Sequence, residues 1–204
     1  MRGIASVGGL LCALVVQAQP VDRVWADGLE AYWDRINAEY RDTAHSPLLP
    51  EDLAVFTELD RYAPDPQFRI LARYHARIGK PFGMRTSTDR LPLYESVGIL
   101  SFRINGVKEH LTVYRNIELS KQPEYADHLF VPFTDLTNGD TTYGGGRYLD
   151  LEAPLGKEVE VDLNRAYNPY CAYGGRYSCP VPPMENHLEV HVEAGVKAFG
   201  PAGH

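Results

Sequence analysis

Cysteine and positive charge are both scarce in this sequence. It has three cysteines in 204 residues, and 20 Lys and Arg side chains stand against 27 Asp and Glu. The formal net charge of −7 repels phosphate backbones, and no basic block gathers the positive charge, so nucleic acid is a poor partner. The low cysteine count also excludes a closed four-cysteine zinc site.

Long apolar runs are missing from most of the chain. The exception runs from Ile4 to Val16, follows a basic start, and is too short to span a bilayer as a helix. With the small residue Ala18 after it, this pattern is typical of a secretory signal peptide, residues 1–18, cleaved after about Ala18. We therefore expect a periplasmic or secreted protein, with an uncleaved anchor as the alternative. Residues 19–204 suit a single β-rich domain without a further transmembrane segment.

Two hydrophobic periodicities indicate the fold. From Val21 to Tyr40 large apolar residues recur every three or four positions, which predicts an amphipathic helix. Later the period is two, and Asn105-Gly106 between two alternating runs predicts the tip of a β-hairpin. We expect a mainly β protein, a sandwich or partly closed barrel of about eight strands with an N-terminal amphipathic helix. The other strand candidates are Phe68–Tyr74, His128–Phe133, Arg147–Leu151, Glu158–Leu163 and His187–Ala194.

Cys171 and Cys179 are the two cysteines that follow the predicted signal peptide. Gly174-Gly175 between them can form a tight turn that brings the two Cα atoms within bridging distance. Because an exported protein meets an oxidising compartment, we predict a disulfide. The alternative is a reactive thiol, which would need a lowered pKa and a neighbouring base.

Three motifs resemble ion sites but are better explained as structure. His187 and His191 would lie about 13 Å apart on a strand, too far to share one ion. The run Asp135–Asp140 lacks the glutamate that closes a calcium loop, and we interpret it as a turn. Gly144–Gly146 precedes a predicted strand rather than a helix, which favours a hinge or bulge over a phosphate cradle. We assign no metal ligands.

The stretch from Tyr143 to Asn186 holds six of the thirteen tyrosines and a group of carboxylate and amide side chains. Rigid aromatic walls with a few polar groups suit a small polar ligand such as a sugar or an amine. The same residues could instead form a buried hydrogen-bond network that ties long loops to a β core. The candidate ligand-binding residues are Arg147, Tyr148, Asp150, Asn164, Tyr167, Asn168, Tyr173 and Asn186.

Three functions fit this stretch. The leading hypothesis is an exported protein that binds a small polar ligand or a metal ion there. The second is a hydrolase in which Asp162 or Glu185 acts as general acid or base and Arg147 holds an anionic group. The third is an envelope protein-interaction or structural domain. The sequence identifies no cofactor.

Five sequence blocks are long enough to be specific: SPLLPEDLAVF, YAPDPQFRI, LFVPFTDLTNGDTTYGGGRYLDLE, DLNRAYNPYCAY and CPVPPMEN. They closely resemble the bacterial and archaeal family known as domain of unknown function 1684, and the resemblance extends from about Val24 to Phe199. It implies a single domain of about this length and no particular reaction. One departure is Val196, at a position where the family resemblance implies an acidic residue.

Overall fold

The structure is a computed structural model that describes residues 22–200. The predicted signal peptide lies outside the described residues. Within the described part of the chain, none of the helices combines the length and the apolar character needed to cross a bilayer.

The longest helix, α1, extends over Arg23–Arg41, as the periodicity predicted. It begins at Asp22, whose carboxylate accepts hydrogen bonds from the backbone N–H groups of Val24 and Trp25 and so caps the helix. A short second helix, α2, spans Pro50–Leu53. The apolar stripe of α1 is buried, as expected: it comprises Trp25, Leu29, Trp33, Ile36 and Tyr40.

Seven antiparallel strands form one curved sheet, a half-barrel, in the order β6-β5-β4-β3-β1-β7, with β2 paired to β3. This confirms the mainly β prediction, and of the two predicted architectures the structure has the partly closed barrel. The strands are β1 (Arg69–Ala76), β2 (Phe82–Gly83), β3 (Leu93–Ile104), β4 (Val107–Asn116), β5 (His128–Phe133), β6 (Arg147–Glu152) and β7 (Glu158–Asp162).

The predicted hairpin joins β3 to β4. Asn105 and Gly106 have φ values of 50° and 82°, the two positive angles that a tight two-residue hairpin turn requires. Ile104 and Val107 pair directly on either side of the turn. The local sequence therefore determines this turn and its register.

The two faces of the sheet have different roles. The inner face carries the largest apolar core, to which β6 contributes Leu149 and Leu151. The outer face carries a separate aromatic cluster that includes Phe130 of β5 and Tyr148 of β6. Because side chains alternate along a strand, Asp150 lies on the outer face beside Tyr148.

The predicted regular strand over His187–Ala194 is wrong. Its alternating burial is present, since Leu188, Val190, Val192 and Ala194 are all buried. However, the backbone N–H of Val192 donates to the Oδ1 atom of Asp135 at 3.1 Å rather than to a neighbouring strand. A side chain thus replaces the strand partner at Val192, while Leu188 and Val190 make backbone hydrogen bonds to Thr134 and Leu136. The period-two pattern could not reveal this change of partner.

Candidate functional site

A cleft of about 470 Å³ lies between α1 and the outer face of β5 and β6. Its third side is the loop that runs from Tyr167 to Pro180. The volume is in the range of sites for small molecules. Four of the predicted ligand-binding residues line it, namely Tyr148, Asp150, Tyr167 and Asn168.

The sheet side of the cleft is a chain of aromatic rings. Tyr94 and Phe130 have ring centroids 5.9 Å apart, Phe130 and Tyr148 4.7 Å, and Tyr148 and Tyr167 5.8 Å. The last two pairs meet edge to face, an arrangement that stabilises aromatic contacts beyond their buried area. This wall is consequently rigid.

The opposite wall is also aromatic and is built from α1 and the loop. Tyr170 lies 6.2 Å from Tyr40 of α1 and 5.2 Å from Tyr177, measured between ring centroids. The Cys171–Cys179 disulfide closes the loop that carries Tyr177, with the two Cα atoms 6.2 Å apart, which confirms the predicted disulfide. It therefore restrains one side of the cleft.

Asp150 holds two hydrogen bonds at the cleft surface. Its Oδ2 atom accepts a hydrogen bond from the Tyr167 hydroxyl at 2.7 Å, and its Oδ1 atom lies 2.9 Å from Nε2 of His128. The Asp150 side chain is 43% exposed, so it remains open to a ligand. Burial, together with the charge of Asp150, raises the pKa of Tyr167 well above its ordinary value, which keeps its hydroxyl protonated as a donor.

Asn168 adds a buried acceptor to the cleft lining. Its Nδ2 group donates to the carbonyl of Lys197 at 2.9 Å, whereas its Oδ1 atom has no hydrogen-bond partner among the described residues. Asn168 is fully buried within the protein, where an unpartnered polar atom costs about 1–3 kcal/mol. Tyr173, also predicted as a ligand-binding residue, is buried behind Tyr40. The rings of Tyr173 and Tyr40 meet edge to face.

Arg147 lies on the other face of β6 and is fully buried. Its guanidinium contacts the Asp135 carboxylate at 2.8 Å and donates to the carbonyls of Val192, at 2.8 Å, and Ala194. Burial lowers the pKa of Arg147, and the charge of Asp135 opposes that effect. These contacts tie the segment after residue 187 to the sheet, and the burial of the whole side chain keeps an anionic ligand from reaching it.

Asp162 and Asn164 also make internal contacts. Asp162 accepts a hydrogen bond from the indole N–H of Trp25 at 2.8 Å and from the amide of Asn164 at 2.9 Å. Asn164 in turn donates to the backbone carbonyl of Asp65 and accepts from its N–H, at 2.9 and 2.8 Å. This network fastens α1 and the loop before β1 to the end of β7.

Asn186 fills a gap in the sheet. Its amide bonds both backbone groups of Thr112 on β4 and the carbonyl of Pro132 on β5, at 2.7–2.9 Å. Glu185 is exposed and accepts a hydrogen bond from the Tyr114 hydroxyl at 2.9 Å. The two predicted acid–base candidates thus contact different elements, since Asp162 contacts α1 and Glu185 contacts β4.

The α1 and β5 residues of the cleft were missed by sequence reasoning. His128 and Phe130 share the outer face with Asp150 because Phe130 pairs with Asp150 across β5 and β6. The alternation within β5 would have placed these two side chains on one face, but only the strand register brings them to Asp150. Tyr32 and Arg35 of α1 lie outside its fully buried stripe, and no local pattern indicates which residues they contact.

Metal donors are not grouped at this site. Among residues 22–200 there is no cluster of three or more His, Cys, Asp or Glu side chains that could hold a metal ion. His187 instead lies 2.9 Å from the Thr134 hydroxyl, and His191 is exposed.

The family model described as a protein of unknown function (DUF1684) matches residues 54–197. The chain belongs to this DUF1684 family. It is also similar to an uncharacterized protein of Haloarcula marismortui with a solution NMR structure, at 35% sequence identity and a TM-score of 0.68. That similarity covers 86% of this chain and 95% of the archaeal chain. No curated protein matches the sequence.

Membership of DUF1684 supports the fold and names no activity. The matched residues include β5, β6 and the disulfide loop of the cleft, while α1 precedes them. The function must therefore be argued from the geometry of the cleft.

Proposed function

We propose that this protein binds a small polar organic molecule in the cleft between α1 and the outer face of β5 and β6. The observation that carries the proposal is an open carboxylate, Asp150, held between two aromatic walls.

The cleft walls are organised before any ligand arrives. Aromatic contacts hold the sheet wall, and the disulfide closes the loop of the opposite wall. A rigid pocket loses little conformational entropy when it binds, so even a small molecule gains useful affinity. This supports binding at the cleft rather than at the exposed loops.

Polar groups in the cleft are also unlike those elsewhere in the predicted stretch. Arg147, Asp162, Asn164 and Asn186 bond to groups of the fold itself. Asp150 is bonded to a phenol and an imidazole and remains exposed, so it retains lone pairs for a ligand. The lack of a grouped donor set among residues 22–200 favours an organic ligand over a metal ion.

The proposal does not include hydrolysis by Asp162 and Glu185. Asp162 is buried beneath α1 by Trp25, and Glu185 contacts Tyr114 on β4. These contacts support structural roles for both side chains.

Protein-observed NMR tests the proposal with three classes of probe at millimolar concentration: organic ammonium ions, neutral sugars and small carboxylates. We expect at least one class to shift the backbone amides of Asp150, Tyr167 and Asn168 saturably. Tyr170→Ala should weaken that binding because it removes part of one wall. Leu136→Ala is the control, since Leu136 is 43% exposed, close to the 45% of Tyr170, and lies outside the cleft lining.

The proposal is wrong if no probe class shifts the cleft amides, or if saturable shifts map to another surface. It is also wrong if Leu136→Ala and Tyr170→Ala change the affinity equally.

A further inference from the structure

Resting on the proposed function, we infer that the ligand of the cleft is an organic ammonium ion. Asp150 supplies the opposite charge, and the aromatic walls surround the cationic group. The inference rests on three independent features: charge, aromatic geometry and hydrogen-bonding capacity.

Asp150 carries a negative charge that no permanent cation offsets. Its two partners are the phenol of Tyr167 and the imidazole of His128, and the latter is charged only when protonated. Within residues 22–200 no Lys or Arg nitrogen lies within 4 Å of its carboxylate. Arg35 of the cleft is 3.4 Å from Glu39, another lining residue, so these two charges largely offset each other.

The charge of Asp150 extends across the cleft. Burial is the first cause that raises the pKa of the Tyr32 hydroxyl on α1, and the negative charge of Asp150 adds to it while Arg35 and Arg165 oppose it. The negative potential of Asp150 therefore reaches the α1 side of the cleft, where two arginine side chains oppose it. Such a potential attracts cations and repels anions.

Aromatic rings strengthen the preference for a cation. The face of each ring carries partial negative charge, and cations placed over tyrosine are stabilised by about 0.5–2 kcal/mol. The protein already shows this behaviour at the cleft, because the guanidinium carbons of Arg35 and Arg165 lie 5.5 and 5.4 Å from the ring centre of Tyr32. Rings on both walls allow a ligand cation the same contact.

The free polar positions are acceptors. Asp150 retains lone pairs on its carboxylate, and the buried Oδ1 atom of Asn168 has no partner among the described residues. A ligand that donates N–H or O–H groups can bond to Asp150, whereas the Oδ1 atom of Asn168 is closed to solvent. An anionic ligand would instead meet the Asp150 charge, and a neutral sugar would leave that charge without a counterion.

Matched pairs of small molecules isolate the charge. Choline and 3,3-dimethyl-1-butanol share shape but differ in charge, and cyclohexylammonium and cyclohexanol form a second pair. We expect each ammonium member to bind about ten-fold or more tightly than its neutral partner, by NMR titration of the cleft amides, where ten-fold corresponds to about 1.4 kcal/mol. Asp150→Asn should remove most of that difference while leaving the neutral partner unaffected.

Asp140→Asn is the matched control, because Asp140 is an exposed aspartate outside the cleft lining. It should leave both pairs unchanged, and a melting curve for each variant confirms that it is folded. Equal binding of charged and neutral partners, or saturable cleft shifts from methyl glucoside or acetate without any from the ammonium ions, overturns the inference but leaves the proposed function standing. If no probe shifts the cleft amides, both the inference and the proposed function are wrong.

Discussion

Arg147 and Asp150 are three positions apart on β6 and face opposite sides of the sheet. The side chain of Arg147 is fully buried, and its ion-pair partner Asp135 is buried with it. Asp150 is 43% exposed and has only an imidazole and a phenol as partners. Both residues stood out in the sequence for the same reason, as charged groups among tyrosines and glycines.

The two side chains differ in how far their hydrogen-bonding groups already bind to the rest of the fold. The guanidinium of Arg147 bonds to Asp135 and to the carbonyls of a chain segment that has no regular strand of its own. That arrangement replaces a missing ladder of backbone hydrogen bonds, and it can offer little to a ligand. Asp150 is held in position but left open, which is the condition that a binding group needs.

The largest effect expected from this comparison comes from Arg147→Met. The substitution leaves Asp135 buried without its counter-charge, and we expect a loss of about 3–5 kcal/mol in the free energy of unfolding. Urea denaturation measures it. Arg35→Met, at a side chain that is 63% exposed, should change stability by less than about 0.5 kcal/mol.

A double variant separates lost charge pairing from lost packing. Arg147→Met with Asp135→Asn removes the uncompensated charge, so it should be more stable than Arg147→Met alone. If Arg147→Met costs less than about 1 kcal/mol, Arg147 is not part of the structural framework, and the contrast with Asp150 disappears.

The next effect concerns Gly146, which leads directly into β6. Its φ of 88° is one that side chains rarely adopt, and a Cβ atom there would lie 2.6 Å from the carbonyl oxygen of Phe133. Gly106 has a similar φ of 82° with open space around it. We expect Gly146→Ala to lower the free energy of unfolding by about 3 kcal/mol and Gly106→Ala by about 1 kcal/mol. At Gly106 only the unfavourable backbone angle contributes, whereas at Gly146 the new Cβ atom also meets the carbonyl oxygen.

Thermal or urea unfolding of the two glycine variants measures that difference. Similar losses of stability in both variants would mean that the backbone around Gly146 adjusts easily to a side chain. The start of β6 would then be less rigid than the contacts of Arg147 indicate.

The elements that the sequence predicted well depend on local physics. The stripe of α1 and the Asn105-Gly106 hairpin follow from side-chain period and from turn geometry, both of which involve near neighbours. The segment 187–194 kept its alternating burial but was not a regular strand, since its backbone pairs with residues 134–136 only at isolated points and Val192 bonds to the Asp135 side chain. A hydrogen bond between residues 57 positions apart does not change the hydrophobic periodicity of the sequence, so the pattern cannot predict it.

The candidate site was predicted in part for the same reason. Tyr148 and Asp150 could be placed on one face of β6 from alternation alone. The position of α1 above them depends on tertiary packing, and the position of His128 beside Asp150 depends on strand register. A single sequence specifies neither. The same limit explains why the sequence suggested Asp162 as a general acid or base.

The smallest effect, and the most direct comparison of these two carboxylates, is the pair Asp162→Asn and Asp150→Asn. Asp162 is 7% exposed and accepts hydrogen bonds on both oxygens, from Trp25 and from Asn164. An asparagine there points an N–H donor at another donor, so we expect a loss of about 1–3 kcal/mol in the free energy of unfolding. Asp150→Asn should cost less than about 0.5 kcal/mol, because water can replace the lost interactions at an exposed position.

Trp25→Phe makes that comparison specific, since it removes the indole donor while keeping an aromatic ring under α1. In a double-mutant cycle with Asp162→Asn, coupling above about 0.5 kcal/mol would show that the two side chains stabilise the fold together. A large stability loss in Asp150→Asn would move Asp150 into the same structural class as Asp162. The polar groups of the cleft would then form a structural hydrogen-bond network, because the Asp150 carboxylate would stabilise the fold rather than bind a ligand.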